Sequence, residues 1–346
     1  MKKILAFLVM FLFVLLFVGC LKEPAEPILP NSEPVSEESL EQEALVESEE
    51  AQRPDLTLTD SENTYILKKS KPDFGEAFPD KFINIVNDRI YAASGASSYG
   101  VFSADFNGEN GGLLENYFFE GYPGDTQQEP ENICSAGETD IFVLEKAVPK
   151  EKPWETWQTA VKTDAEGNYI ANYPLAEIED GIPFGDSIAF DKNGNFYLWS
   201  YWGKVLVFTD NFKEFYLIDC SGDLTFEKVV AFNNGNAIIK TSGGAFTFDH
   251  KNKDFGEKIE LPAVNIFENS GNSEFDFLCH DFENIFGYNF EENRLEKLIS
   301  FAEHEIDSEF LHSADIDESG NITVITKEII WCEPTVYEIF YFEKES

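Results

Sequence analysis

Three stretches of this chain repeat one design. An Asp or Asn, a Gly and a second Asn are packed into four or five residues, and a run of β-formers follows at once. They read Asp191-Lys-Asn-Gly-Asn195 before Phe196-Tyr-Leu-Trp199, Asn233-Asn-Gly-Asn236 before Ala237-Ile-Ile-Lys240, and Asp317-Glu-Ser-Gly-Asn321 before Ile322-Thr-Val-Ile325. Gly and Asn enter positive φ at little cost, as a tight hairpin requires. The glycines stand at 194, 235 and 320, so the gaps are 41 and 85 residues, one and two periods of about 42. Short strands and turns repeating at that length are the signature of β-propeller blades.

Extending the register gives six units. The first runs from Lys81 through Arg89-Ile-Tyr-Ala-Ala to Phe119, and the second from Glu131 to Leu175 with an insertion around Lys150 to Trp157. The others span Ile182–Ile218, Thr225–Leu261, Asn265–Phe301 and Phe310–Glu343. The sixth shows only three clear strands. Asn63-Thr-Tyr-Ile-Leu-Lys is predicted to supply the fourth, closing the ring and removing an open sheet edge. The expected fold is therefore an all-β propeller of six blades. Seven or eight blades are the neighbouring counts, and a pair of β-sandwiches is the alternative architecture. With 33 Phe and 13 Tyr against 2 Met, the composition suits strands better than helices.

The chain opens differently. Lys2 and Lys3 precede an apolar run from Ile4 to Val18 that ends at Gly19-Cys20. Fifteen residues of helix cover about 23 Å, short of the ~30 Å hydrocarbon core, so residues 1–19 read as a signal peptide. Phe17-Val18-Gly19-Cys20 resembles the lipobox of bacterial lipoproteins, with Phe17 where Leu is usual. That resemblance implies acyl chains on Cys20, which hold a chain stably on a membrane when two or more are present. Residues 20–62 then carry five prolines, no aromatic residue, and 13 acidic side chains against Lys22 and Arg53. Such a stretch cannot offset its chain entropy by burial and reads as a disordered, extended spacer. Residues 63–346 are left for the propeller.

Beyond residue 62 there are 52 acidic and 21 basic side chains. A surface of net charge −31 repels phosphate backbones, which argues against nucleic acid as a partner. Cys134, Cys220, Cys279 and Cys332 lie far apart in strand-like runs, compatible with buried thiols or with disulfides. Four histidines, none in ligand spacing with a cysteine, give no zinc pattern, and no cofactor motif is present.

No catalytic constellation stands out. Asp315 to Thr326 has EF-hand-like spacing but Thr at position twelve, and reads as a hairpin turn. His304 and His312, among Glu303, Glu305 and Glu309, read as a solvated polar segment. The aromatic residues are the candidate ligand contacts: Trp154 and Trp157 in the second unit's insertion, and Trp199, Tyr201 and Trp202 at a hairpin of the third. An indole near a propeller mouth can stack on a sugar or an apolar side chain. Packing at the rim is the plainer use of the same residues, as it is for Tyr99 and Tyr122.

The runs Phe275 to Phe301 and Ser313-Ala-Asp-Ile-Asp-Glu-Ser-Gly-Asn-Ile-Thr-Val-Ile-Thr, with Lys204-Val-Leu-Val-Phe and Phe212-Lys-Glu, resemble one family. It is the amino-terminal propeller of Firmicute surface lipoproteins, which often carry an ABC-transporter solute-binding domain behind it. The resemblance implies a lipid-anchored extracellular module on the outer face of the cytoplasmic membrane, with transporter components among its partners. This chain stops at Ser346, where the solute-binding domain would begin, so solute transport does not simply carry over. The functional expectation is a non-enzymatic binding module for a protein or small ligand. An extracellular hydrolase or lyase at the channel mouth is the alternative.

Overall fold

A computed structural model describes residues 54, 56–70, 82–94, 100–114, 121, 126–137, 139–151, 156–175, 185, 187–200, 203–219, 226–232, 237–261, 265–268, 272–328 and 336–345. Two short strands come first, β1 (Thr57–Asp60) and β2 (Tyr65–Ser70). Blade 1 follows as β3 (Phe82–Val86), β4 (Arg89–Ser94), β5 (Gly100–Asp105) and β6 (Gly112–Leu114). Blade 2 is β7 (Thr126–Ser135), β8 (Ile141–Pro149), β9 (Trp157–Thr163) and β10 (Tyr169–Pro174). Blade 3 is β11 (Ser187–Phe190), β12 (Phe196–Ser200), β13 (Lys204–Thr209) and β14 (Glu214–Asp219). Blade 4 is β15 (Phe226–Ala231), β16 (Ala237–Thr241), β17 (Gly244–Asp249) and β18 (Asp254–Ile259). Blade 5 is β19 (Asn265–Glu268), β20 (Phe277–His280), β21 (Asn284–Asn289) and β22 (Arg294–Ser300), followed by the one-turn helix α1 (Phe301–His304). Blade 6 supplies β23 (Leu311–Ile316), β24 (Ile322–Glu328) and β25 (Val336–Lys344).

Each blade is an antiparallel meander, and the first strands of successive blades touch in a closed ring from β3 round to β23 and back. The expected closure is present. β2 pairs antiparallel with β25 from Tyr65↔Lys344 to Ser70↔Ile339 and completes blade 6 as its outer strand. A fifth strand was not expected. Thr57–Asp60 lies in the stretch that reads as spacer, yet it pairs in parallel with Arg294–Lys297 on the outer edge of blade 5. All four of its residues are exposed, so it is held by backbone pairing and one side-chain bond, from Thr59 Oγ1 to Leu295 O at 3.4 Å, rather than by burial. Its side chains therefore carry no strand pattern to read.

The recurring turn is fixed by its own side chains. In blade 3, Asp191 Oδ1 accepts from the backbone N–H groups of Asn193 and Asn195, both at 2.9 Å, and Oδ2 accepts from Asn195 Nδ2 at 2.8 Å. Gly194 takes φ +83° between them. Asp317 and Asn321 repeat the arrangement in blade 6 at 2.8 Å for both bonds, with Gly320 at φ +84°. Asp164 and Asn168 repeat it again between β9 and β10, a third copy in the structure. The sequence copy at Asn233–Asn236 lies outside the described residues. Blade 3 ties its turn inward, since the buried Tyr197 hydroxyl donates to Asp191 Oδ2 at 2.7 Å.

The apolar core is divided among the seams. Six buried clusters occupy the six junctions between neighbouring blades. Between blades 2 and 3, Phe142 meets Phe190, Phe196 and Phe212 edge-on at 5.1 to 5.7 Å. Flat sheets packed face to face need broad, rigid side chains, and this geometry explains the phenylalanine excess. Cys134 and Cys279 are buried within these seams as thiols, outside any disulfide. Cys220 and Cys332 lie outside the described residues.

One seam residue breaks the apolar rule. Glu145 on β8 has no exposed surface, and neither carboxylate oxygen has a hydrogen-bond partner. Desolvation pushes its pKa up to about 8. The group is thus a neutral acid at pH 7.

Candidate functional site

The first strands surround a cavity of about 410 Å³ on the ring axis, lined from blades 1, 2, 3, 4 and 6. Three of these strands are irregular, and they alternate. A β-bulge interrupts β7 between Pro130 and Asn132, β15 between Phe226 and Lys228, and β23 between Leu311 and Ser313. The extra residues are Glu131, Glu227 and His312, and each lies on the cavity wall. A bulge re-aims the side chain that it adds. In blades 2, 4 and 6 it thus presents an ionisable group to the axis. Blades 1 and 3 line the same wall with Asn84 and Ser187 from regular strands.

A polar girdle links blade to blade. Asn84 Nδ2 donates to Asn132 Oδ1 at 2.9 Å and to Ile133 O at 3.4 Å, and Asn132 Nδ2 donates to Ser187 Oγ at 3.4 Å. Lys228 Nζ donates to Ile266 O at 3.2 Å and sits 5.6 Å from the Phe267 ring centroid. Glu227 is ion-paired with Lys240. His312 Nε2 lies 3.0 Å from Ile83 O, a pure acceptor, so this nitrogen carries the proton. Burial, then the charges of Lys327 and Lys228, push the His312 pKa down to about 4, and the ring is neutral. The expectation of a solvated segment is corrected here: His312 sits in the first strand of blade 6 and bonds to blade 1. His304 packs edge-on against Phe342 at 4.9 Å. Among the described residues, no three His, Cys, Asp or Glu side chains converge as metal ligands would.

Antiparallel pairing puts every turn between second and third strands on the face where the first strands begin. Trp157 starts β9 opposite Ala147, and Trp199, near the end of β12, lies opposite Ser187. Both therefore stand on that face. Trp199 is buried in the seam between blades 3 and 4 and lines the cavity, while Trp157 is half-buried. Trp154, Tyr201 and Trp202 lie outside the described residues, as do Cys20, Tyr99 and Tyr122. The same face carries an aromatic residue that sequence reasoning missed. Phe282, 56% exposed at φ +78°, sits at the blade 5 turn, edge-on to His280, which stacks on Phe267 at 5.6 Å. The positions of Glu131, Glu227 and His312 did leave a signal. They are 96 and 85 residues apart, about two blade lengths, and each precedes a second polar residue and then an apolar one.

No family model matches the chain, and no curated protein sequence matches it. Solved structures do. A protein of unknown function from Dyadobacter fermentans is similar over 81% of this chain and 99% of its own, at 12% identity and TM-score 0.50. The WD40 β-propeller domain of Doa1 covers 82% of this chain and 98% of its own, at 11% identity and TM-score 0.44. A streptogramin B lyase covers the same shares at 12% identity and TM-score 0.43. At such identities the likeness concerns the fold alone; the sheet order makes this chain a six-bladed β-propeller.

Proposed function

We propose that this chain is a lipid-anchored binding module of the cell surface, with the central cavity as its ligand site and an accessory role in solute uptake. One observation carries the binding part. The cavity is lined by hydrogen-bonding side chains from five blades, and bulges in alternate blades aim ionisable groups into it. Its volume of about 410 Å³ is that of a small-molecule pocket. The anchor rests on the basic start, the apolar run too short to span a bilayer, Gly19-Cys20 and the acidic spacer after it. The spacer's charge would hold the domain away from anionic lipid, leaving the cavity open to the medium.

Two experiments test the two parts. Cells expressing the full chain are labelled with a palmitate analogue; label should enter the wild type and be absent from Cys20→Ala. Label retained in Cys20→Ala would refute the anchor. For binding, a small-molecule library is screened by thermal shift against the wild type and Ser187→Trp, whose indole fills the cavity. Hits should vanish in Ser187→Trp while its own unfolding transition persists. A library in which no hit depends on the open cavity rules out this site.

A further inference from the structure

The cavity wall specifies chemistry as well as space. Hydrogen-bonding functions remain on it once the girdle is complete, among them one on Asn84 and one on Ser187. Asn84 gives its amide hydrogens to Asn132 and Ile133, and its Oδ1 has no protein partner among the described contacts. Ser187 Oγ accepts from Asn132, and its own hydroxyl proton is likewise uncommitted. The wall thus offers an acceptor from blade 1 and a donor from blade 3. A ligand hydroxyl is a donor and an acceptor at once, and a pair of hydroxyls on neighbouring carbons can answer both groups. Phe82 and Trp199 belong to the same wall. Aromatic surface of this kind takes the C–H face of a sugar ring, where a polar or charged surface would not.

The charges of the wall narrow the ligand further. Glu227 is neutralised by Lys240, Lys228 is bonded to Ile266 O beside Phe267, and His312 is neutral. Glu131 adds an acidic side chain to the wall, which disfavours an anion. Outside, a domain with 52 acidic and 21 basic side chains repels anions at every approach. Among the described wall residues the charges balance, Lys228 against Glu131 and Lys240 against Glu227, so the wall has no net charge with which to select an ion.

We propose that the central cavity binds a neutral polyhydroxylated ligand of mono- or disaccharide size, held by Asn84 Oδ1 and the Ser187 hydroxyl against the Phe82 and Trp199 wall. This rests on the cavity being the ligand site. Asn84 and Ser187 act as specificity determinants, since a ligand without hydroxyls leaves both unanswered. A buried polar group left unpaired discriminates more strongly than a changed apolar contact.

Titration calorimetry of the full chain tests it, with a panel of neutral mono- and disaccharides and three matched sugars: glucose, glucosamine and glucuronate. At least one neutral sugar should bind, with glucuronate tenfold or more weaker than glucose where glucose is that ligand. Asn84→Leu, which removes the acceptor at similar volume, should weaken binding tenfold or more, and Ser187→Trp should abolish it. Both variants are first shown to keep the wild-type circular dichroism and a cooperative melt. Where Asn84→Leu fails that control, Ser187→Ala replaces it, and an unchanged affinity there counts against the proposal. Glucuronate or glucosamine binding at least as tightly as every neutral sugar overturns the ligand class. So does a panel of sugars that all fail to bind when a non-sugar hit from the thermal-shift library is lost in Ser187→Trp. That second outcome leaves the cavity as the site. If no compound of either kind depends on the open cavity, the site and the ligand class fall together.

Discussion

Glu145 gives the fold a measurable dependence on pH. Its carboxyl group is fully buried on β8 with both oxygens unpartnered, and desolvation holds its pKa at about 8 against an ordinary value of 4.5. In the unfolded chain the group is ionised above pH 4.5; in the fold it keeps its proton to about pH 8. Between those values the native state binds the extra proton, so stability falls as pH rises through the window. The slope approaches ~1.4 kcal/mol per pH unit, and the loss reaches ~3 kcal/mol at pH 7 and ~4 kcal/mol at pH 8. Glu145→Gln keeps the shape and removes the titration. Urea unfolding followed by tryptophan fluorescence at pH 5, 6, 7 and 8 gives the comparison. The variant should match the wild type within about 1 kcal/mol at pH 5 and exceed it by roughly 3–4 kcal/mol at pH 8. Every other titrating group is common to both proteins, so the difference isolates Glu145. Parallel curves across the range would mean that this carboxylate finds a partner or water in the fold, and the reasoning would fail.

Other perturbations follow from the same structure. Asp191→Ala removes the acceptor for the blade 3 turn and leaves the buried Tyr197 hydroxyl without it; a loss of about 2–4 kcal/mol in denaturant unfolding is expected. Asp164→Ala, the same turn without a tyrosine, should cost less than half as much. His312 has the opposite pH behaviour to Glu145. Its imidazole takes a proton more readily unfolded, so stability should fall by ~2–3 kcal/mol as pH drops from 6.5 towards 4, and His312→Gln should flatten that limb. Deleting residues 57–70 strips the outer strand from blade 6 and uncovers the nine-residue edge of β25. Size-exclusion chromatography should show concentration-dependent association, and a monomeric, cooperatively melting deletion would show that closure by β2 is dispensable.

The parts of the fold legible in the sequence are those made by neighbours in the chain. Asp191, Gly194 and Asn195 form their turn within five residues, so their spacing alone located the hairpins. The missing fourth strand of the sixth unit likewise pointed to Asn63–Lys68 as the closing strand, and the strand forms at Tyr65–Ser70. β1 reads as spacer in the sequence because none of its four side chains is buried; pairing with the outer edge of blade 5 makes it a strand. His312 was misread for a related reason. The acidic residues before it suggest water, whereas its surroundings come from blade 1, 229 positions away in the chain at Ile83.

By itself the sequence determined the number of blades, the manner of their closure and the aromatic character of the seams. These follow from turn chemistry, period and side-chain type, all set over a few residues. Only the tertiary structure decided that bulges in alternate blades aim Glu131, Glu227 and His312 at the axis, that Asn84 and Ser187 keep unused hydrogen-bonding capacity there, and that Glu145 is sealed between blades. Burial and polar satisfaction depend on which blades stand next to one another, and that is settled only when the ring closes.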